Sequence, residues 1–246
     1  MKKFVYSFNE GSKDMKSLLG GKGANLAEMT KIGLPVPFGF TVTTEACNEY
    51  YNQGKKISED IMNEIFDKLV ELENVTGKKF GDSTNPLLVS VRSGSVFSMP
   101  GMMDTILNLG LNDETVAGMA SLTGNERFAY DSYRRLIMMY SDVVMEKAAD
   151  IEHDEKKGEK GIRRHLEDEM DKMKESKGVS LDTELTVSDL KKLCATFKQK
   201  VRDALGKEFP DDPFEQLWGA VGAVFKSWNG KRAIEYRRIE KIPDEW

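Results

Sequence analysis

At 246 residues the chain is long enough to bury a substantial core, as one large domain or two smaller ones. Charged residues make up 31% of it with both signs mixed and a net charge of -5, so no whole-molecule positive field recruits nucleic acid or an anionic membrane, and any anion must find a local site. Cys47 and Cys194 stand far apart and outside any C-x-x-C pattern, which argues against a disulfide framework and a zinc site and makes a reduced, cytoplasmic setting the simplest expectation. The opening MKKFVYSFNEG turns polar within a few residues, unlike a signal peptide, and no later run is long enough to span a bilayer.

FVYSF predicts a short strand. GGKGANLAEMTKIGLPVPFGFTVTT then predicts a glycine-rich entry, a helix over about Ala24 to Lys31, a Gly-Leu-Pro stop and a second strand. Thr43 and Thr44 are placed to cap a short helix that ends at Gly54. Beyond it, apolar residues at 61, 65, 69 and 72 behind an acidic first turn describe an amphipathic helix. PLLVSVRSG reads as a continuous apolar strand stopping at Arg92.

From about residue 112 to 208 strand signals give way to charged residues at helical spacing, which predicts a helical subdomain. Asn112 is placed to cap DETVAGMASL, a second helix covers ERFAYDSYRRLIMMYSDVVMEKA, and Thr186 with Asp189 has the form of a capping box. DIEHDEKKGEKG between them reads as a solvated loop. A last helix with apolar positions 217, 221, 224, 225 and 228 and the two tryptophans Trp218 and Trp228 precedes a basic segment. The fold class expected is α+β, with a mixed lobe from residues 1–111 plus 209–246 and an inserted helical subdomain over 112–208.

GGKG at 20 to 23 fits neither standard phosphate loop. Lys16 and Gly23 stand where a Walker A loop has Gly and Ser or Thr, and Leu26 replaces the third glycine of the dinucleotide fingerprint. The physics is still that of an anion site: Gly20, Gly21 and Gly23 let backbone N–H groups approach an anion, a helix start adds a favourable dipole, and Lys22 brings a point charge. The competing reading is a plain turn. Arg92 at a strand end presents a planar fork suited to phosphate, or else pairs with a surface carboxylate. Ser93, Gly94, Ser95 and Ser98 add donors, Pro100-Gly101 marks a sharp turn, and Met99, Met102 and Met103 suit either core filling or an adaptable lid. Asp104 is a metal ligand or, more simply, a cap. His153 and His165 lie among charged residues and read as surface positions, and the basic clusters YRRL and EYRRIEK read as solvated or carboxylate-paired helix faces rather than a nucleic-acid surface.

Together LLGGKGANLAEM, GLPVPFGFTVTTEAC, LLVSVRSGSVFSMPGMMDTILNLGLND, RFAYDSYRRLIMMYSDVVM and SWNGKRAIEYRRIEKIP resemble the N-terminal part of the pyruvate, phosphate dikinase family, in order and from end to end. The likeness is weakest around 148 to 178. SMPGMMDT separates this family from the related phosphoenolpyruvate synthases and antibiotic phosphotransferases, which look similar around GGKG and VRS. The resemblance implies the first lobe of an ATP-grasp nucleotide-binding domain, in an enzyme that turns ATP, phosphate and pyruvate into AMP, pyrophosphate and phosphoenolpyruvate. It implies Lys22 and Arg92 as catalytic phosphate-facing groups, with Gly20, Gly21, Gly23, Ser93, Gly101, Met102, Met103, Asp104 and Thr105 around the nucleotide. It also implies Mg2+ held mainly by residues outside this chain, a second lobe, a swivelling phosphohistidine domain and a pyruvate-binding barrel beyond it, and a homodimer formed through those C-terminal parts. The alternatives are a phosphoenolpyruvate synthase-like or drug-phosphorylating enzyme, and a stand-alone nucleotide- or protein-binding module.

Overall fold

The computed structural model describes residues 2–151, 153 and 159–242, a mixture of helices and three small two-stranded sheets. It divides into two compact units: Met1–Lys78 with Arg92–Thr105 and Val224–Trp246, and Lys79–Val91 with Ile106–Ala223.

In the first unit, strand β1 (Val5–Ser7) pairs antiparallel with β2 (Phe40–Val42), Val5 opposite Val42 and Ser7 opposite Phe40. Helix α1 (Lys16–Lys31) connects them. Helix α2 (Thr44–Asn52) starts where expected, the Thr43 hydroxyl accepting from Ala46 N at 3.2 Å. Helix α3 (Glu59–Thr76) is capped by Ser58 and ended by Gly77, and of its expected apolar positions it buries Ile61, Ile65 and Leu69 and leaves Leu72 half-buried. Its Glu64 carboxylate accepts from both Phe4 N and Val5 N at 2.8 Å, tying the helix to β1.

Just past β1, Glu10 accepts from Lys3 Nζ at 2.6 Å, Ser7 N at 2.7 Å and Lys68 Nζ at 3.1 Å. Partial burial opposes its charge, but the hydrogen bonds from Lys3, Ser7 and Lys68 outweigh that and hold its carboxyl at about 2, against an ordinary 4.5. A depressed carboxylate stabilises fully above its unfolded value and loses that contribution as pH falls through the folded one. Glu10→Gln is therefore expected to flatten the fall in melting temperature between about pH 4.5 and about pH 2, with little change in slope at neutral pH. An unaltered acid limb would show that the network contributes nothing.

In the second unit, β3 (Lys79–Phe80) pairs parallel with β4 (Pro86–Leu87). A separate two-stranded sheet joins β5 (Val89–Arg92) to β6 (Thr105–Leu109). PLLVSVR is thus not one continuous strand. It breaks at Leu88, and β5 alternates half-buried and exposed residues. The helices α4 (Thr115–Thr123), α5 (Glu126–Tyr140), α6 (Ile162–Lys177) and α7 (Val187–Leu205) follow, around a core that includes Leu136, Ile137, Leu166, Leu190 and Phe197. Asn112 caps α4, its side-chain oxygen accepting from Thr115 N at 2.8 Å, and the Thr186–Asp189 capping box forms as expected. The helical run of α5 continues through a π-helical segment, Ser141–Glu146, and a short turn. Half of the predicted charged loop after it lies outside the described residues.

Helix α8 (Pro213–Ser227) begins in the second unit and ends in the first, where α9 (Lys231–Glu240) also lies. The units therefore cut the chain differently from the lobe and insert expected from sequence: 79–91 and 106–111 group with the helices, and so does the front of α8. The cause is local. Gln216, fully buried, accepts from Gly110 N at 2.9 Å and donates to Leu111 O at 3.0 Å and Pro210 O at 2.8 Å. Phe80 packs edge-on against Phe214, with ring centroids 5.4 Å apart. Conversely, the end of α8 belongs with α2, because the Tyr51 hydroxyl donates to Phe225 O at 2.9 Å.

Candidate functional site

The glycine-rich stretch lies at a break in α1. Gly20 has φ 69° and ψ 170°, a backbone open to glycine and costly for other residues, so the short turn from Lys16 ends there and the helix proper restarts at Gly21. The predicted start at Ala24 is accordingly corrected by three residues, which places Gly21, Lys22 and Gly23 in the first helical turn, where N–H groups have no intrahelical acceptor. Gly23 is needed for a different reason: a Cβ there would come within 2.7 Å of Thr41 Cγ2, so its absence lets α1 lie close on β2.

The segment that follows Arg92 runs against this helix start. Gly21 N donates to Ser95 O at 2.9 Å, and Lys22 Nζ to Ser93 O at 3.1 Å. A Cβ on Gly20 would overlap the carbonyl oxygen of Gly94, 1.3 Å away. Lys22 is exposed, Ser93 buried, and Arg92, next in sequence to Ser93, is exposed with no hydrogen bond or ion pair to its guanidinium among the described residues. The competing expectation, a surface carboxylate partner for Arg92, finds none among the described residues.

Beyond the root, the Ser95 hydroxyl donates to Phe97 O at 2.5 Å and Met102 N donates to Met99 O at 3.2 Å, which shapes two small turns. Met99 is buried, whereas Met102, Met103, Asp104 and Thr105 are half-buried and Ser98, Pro100 and Gly101 are exposed. The methionines thus divide: one fills core and two border solvent. Gly101 has φ 72° with nothing within 4 Å of its missing Cβ. Sequence reasoning overlooked Lys16, whose Cε lies 3.6 Å from the Cβ position of Gly21, beside the helix start. Its only sequence signal was its place before the double glycine.

This arrangement leaves the cationic side chains of Lys22 and Arg92 exposed to solvent on two segments that meet at a helix start, which is suited to an anion with several oxygens. Among the described residues no three His, Cys, Asp or Glu side chains gather within reach of one ion. A cavity in the same unit lies elsewhere, about 160 Å³ lined by Phe8, Val36, Phe38, Leu72 and Val75 with Lys68 and Glu71, and contains none of the expected site residues.

A family model described as "Pyruvate phosphate dikinase, AMP/ATP-binding domain" matches residues 16–75 and 54–246. The chain belongs to this dikinase nucleotide-binding domain family. It is 58% identical to pyruvate, phosphate dikinase of Clostridium symbiosum over all of its own length and 27% of that protein. It is 51% identical to the chloroplastic pyruvate, phosphate dikinase of Mesembryanthemum crystallinum and 48% to the pyruvate, phosphate dikinase of Entamoeba histolytica, in each case over 98% of this chain and 24% or 26% of the relative. The chain thus spans about a quarter of the length of these pyruvate, phosphate dikinases.

Two sequence readings outside the loop change in this dikinase domain. Arg237 is not on a solvated face, whereas Arg134 is carboxylate-paired as expected, though buried. Arg134, 3% exposed, bonds Asp131 Oδ1 at 2.6 Å, and Arg237, 1% exposed, donates to Trp228 O and to Asn229 Oδ1 at 3.1 Å. His153 is half-buried rather than on the surface, its Nε2 2.7 Å from Oε1 of the buried Glu146. No helix among the described residues is long and apolar enough to cross a membrane.

Proposed function

We propose that this chain supplies the phosphate-facing side of the nucleotide site of a pyruvate, phosphate dikinase, an enzyme that converts ATP, phosphate and pyruvate to AMP, pyrophosphate and phosphoenolpyruvate in the cytoplasm. The single observation that supports this reading is the meeting of Lys22 with the segment that follows Arg92, Nζ 3.1 Å from Ser93 O, at a helix start rich in glycine. Lys22 and Arg92 offset charge on the β- and γ-phosphates, Gly21, Gly23 and Ser93 border them, and the Gly101–Thr105 segment covers them and excludes water. Phosphoryl transfer demands mainly positioning and charge stabilisation, which these groups can provide without forming a bond to substrate.

The acceptor on this reading is a histidine of a swivelling domain carried elsewhere in the full-length enzyme. The lobe is the first of an ATP-grasp pair, and the adenine contacts belong to the other. Mg2+, which the family implies, does not fit the residues described: the neighbourhood of Lys22 and Arg92 offers cations and hydroxyls, with Asp104 the one carboxylate among the expected site residues.

Half a cleft leaves phosphate contacts screened by water. Calorimetric titration of this chain with ATP and Mg2+ is expected to show weak binding that falls steeply with added salt, and tighter binding by a chain extended through the second lobe. Equal, tight and salt-insensitive binding by both would place the nucleotide somewhere other than the Lys22–Arg92 neighbourhood.

A further inference from the structure

Gly20, Gly21 and Lys22 meet three successive residues of the loop that begins at Arg92. Gly94 O occupies the space of a Gly20 Cβ, Gly21 N holds Ser95 O at 2.9 Å, and Lys22 Nζ holds Ser93 O at 3.1 Å. The first two contacts are backbone to backbone. A close crossing of two main chains has no side chain to rotate out of the way, and the Gly21–Ser95 bond closes off a helix-start donor that otherwise needs water. The third is made by an exposed, flexible lysine to a neutral carbonyl, and such a bond exchanges readily for a phosphate oxygen, which offers full negative charge to the same ammonium.

We infer that Gly20 is a positioning residue rather than a nucleotide contact: by leaving room for the Gly94 carbonyl it clasps residues 93–95 to the start of α1, so that this root stays fixed and only the chain beyond Ser95 moves when the loop covers a nucleotide. The inference rests on the function proposed above for the same loop. Ser93 O then serves as the resting partner of Lys22, holding the ammonium beside Arg92 until phosphate replaces the carbonyl. The glycines of the loop divide by role. Gly101, at φ 72° with open space around it, supplies freedom at the moving tip, whereas Gly20, at φ 69° with a carbonyl 1.3 Å from its Cβ position, supplies contact at the fixed root. Gly94 itself needs no such exemption, since its own Cβ would meet only Leu19 O at 3.8 Å.

Hydrogen exchange resolved to single amides tests the clasp on the chain as it stands. The Gly21 amide is expected to exchange slowly in the wild type, in Gly94→Ala and in Lys22→Ala, and about tenfold faster or more in Gly20→Ala, while the buried Ile65 amide of α3 stays protected in all four. Undiminished protection of Gly21 in Gly20→Ala would overturn the clasp, as would its loss in Lys22→Ala, which would make the lysine rather than the glycine the fastening. Loss of Ile65 protection in Gly20→Ala would mean that the glycine serves the fold and not the loop. Calorimetry with ATP supplies the second arm: affinity should drop in Gly20→Ala and hold in Gly94→Ala. A broken clasp with unchanged affinity would overturn the positioning role alone. Absence of ATP binding by the wild type at any salt concentration would instead defeat the functional reading, and the positioning role with it, while leaving the exchange result for the clasp intact.

Discussion

Arg92→Ala in the complete enzyme is expected to slow phosphorylation of the swivel histidine by ATP roughly 30- to 1,000-fold, the scale of losing about 2–4 kcal/mol of transition-state stabilisation. The guanidinium is exposed and engages no partner among the described residues, so its removal costs the fold little and its effect falls on the ligand. A planar fork to two phosphate oxygens is also poorly replaced by water or by lysine, so Arg92→Lys should recover only part of the loss. Lys22→Ala should act in the same direction by a smaller factor, because the ammonium must first leave the Ser93 carbonyl that it holds in the resting chain. Single-turnover phosphorylation measures the effect, and exchange between pyruvate and phosphoenolpyruvate is the control that should stay near its normal rate. An unchanged ATP half-reaction in Arg92→Ala would remove this residue from the site.

The largest effect on stability is expected at Arg237. Its guanidinium lies 4.2 Å from the centroid of the Trp228 ring and donates to Trp228 O and Asn229 Oδ1, where α8 gives way to α9. Truncation to alanine strips a buried carbonyl of a charged donor, removes the stacking cation and opens a cavity. Together these should cost about 2–4 kcal/mol of unfolding free energy. Arg237→Lys should recover less than half, since one ammonium cannot serve the carbonyl, the amide oxygen and the ring face together. Denaturation followed by tryptophan fluorescence and circular dichroism measures it, and a loss below about 0.5 kcal/mol would reduce Arg237 to a surface residue in energetic terms.

Local chemistry was readable in the sequence, and contacts made at long range were not. Thr43, Asn112 and the Thr186–Asp189 pair cap helices through bonds to residues three positions away, so a short window contains both partners. The start of α1 is different. Gly20 adopts its unusual φ beside Gly94, and Lys22 finds Ser93 71 residues away, so GGKG by itself could not be told from an ordinary turn. The same limit hid Arg237 among charged neighbours, because the Trp228 carbonyl and ring become its partners only after the chain turns from α8 into α9. It also displaced the division of the chain: nothing around Gln216 in sequence announces that its amide will gather Gly110, Leu111 and Pro210. The functional residues proposed here were nonetheless visible as types, a lysine and an arginine among glycines and serines, because the chemistry of an anion site limits which residues can serve it.

The central claim is that Lys22 and Arg92 meet the phosphates of one nucleotide. It is tested most directly by side-chain nitrogen NMR of this chain during titration with ATP and Mg2+, with adenosine as the comparison. The Lys22 Nζ and Arg92 Nε signals should move together along one saturation curve with ATP, and stay in place with adenosine. ATP binding that saturates while both signals remain at their starting positions would contradict the account.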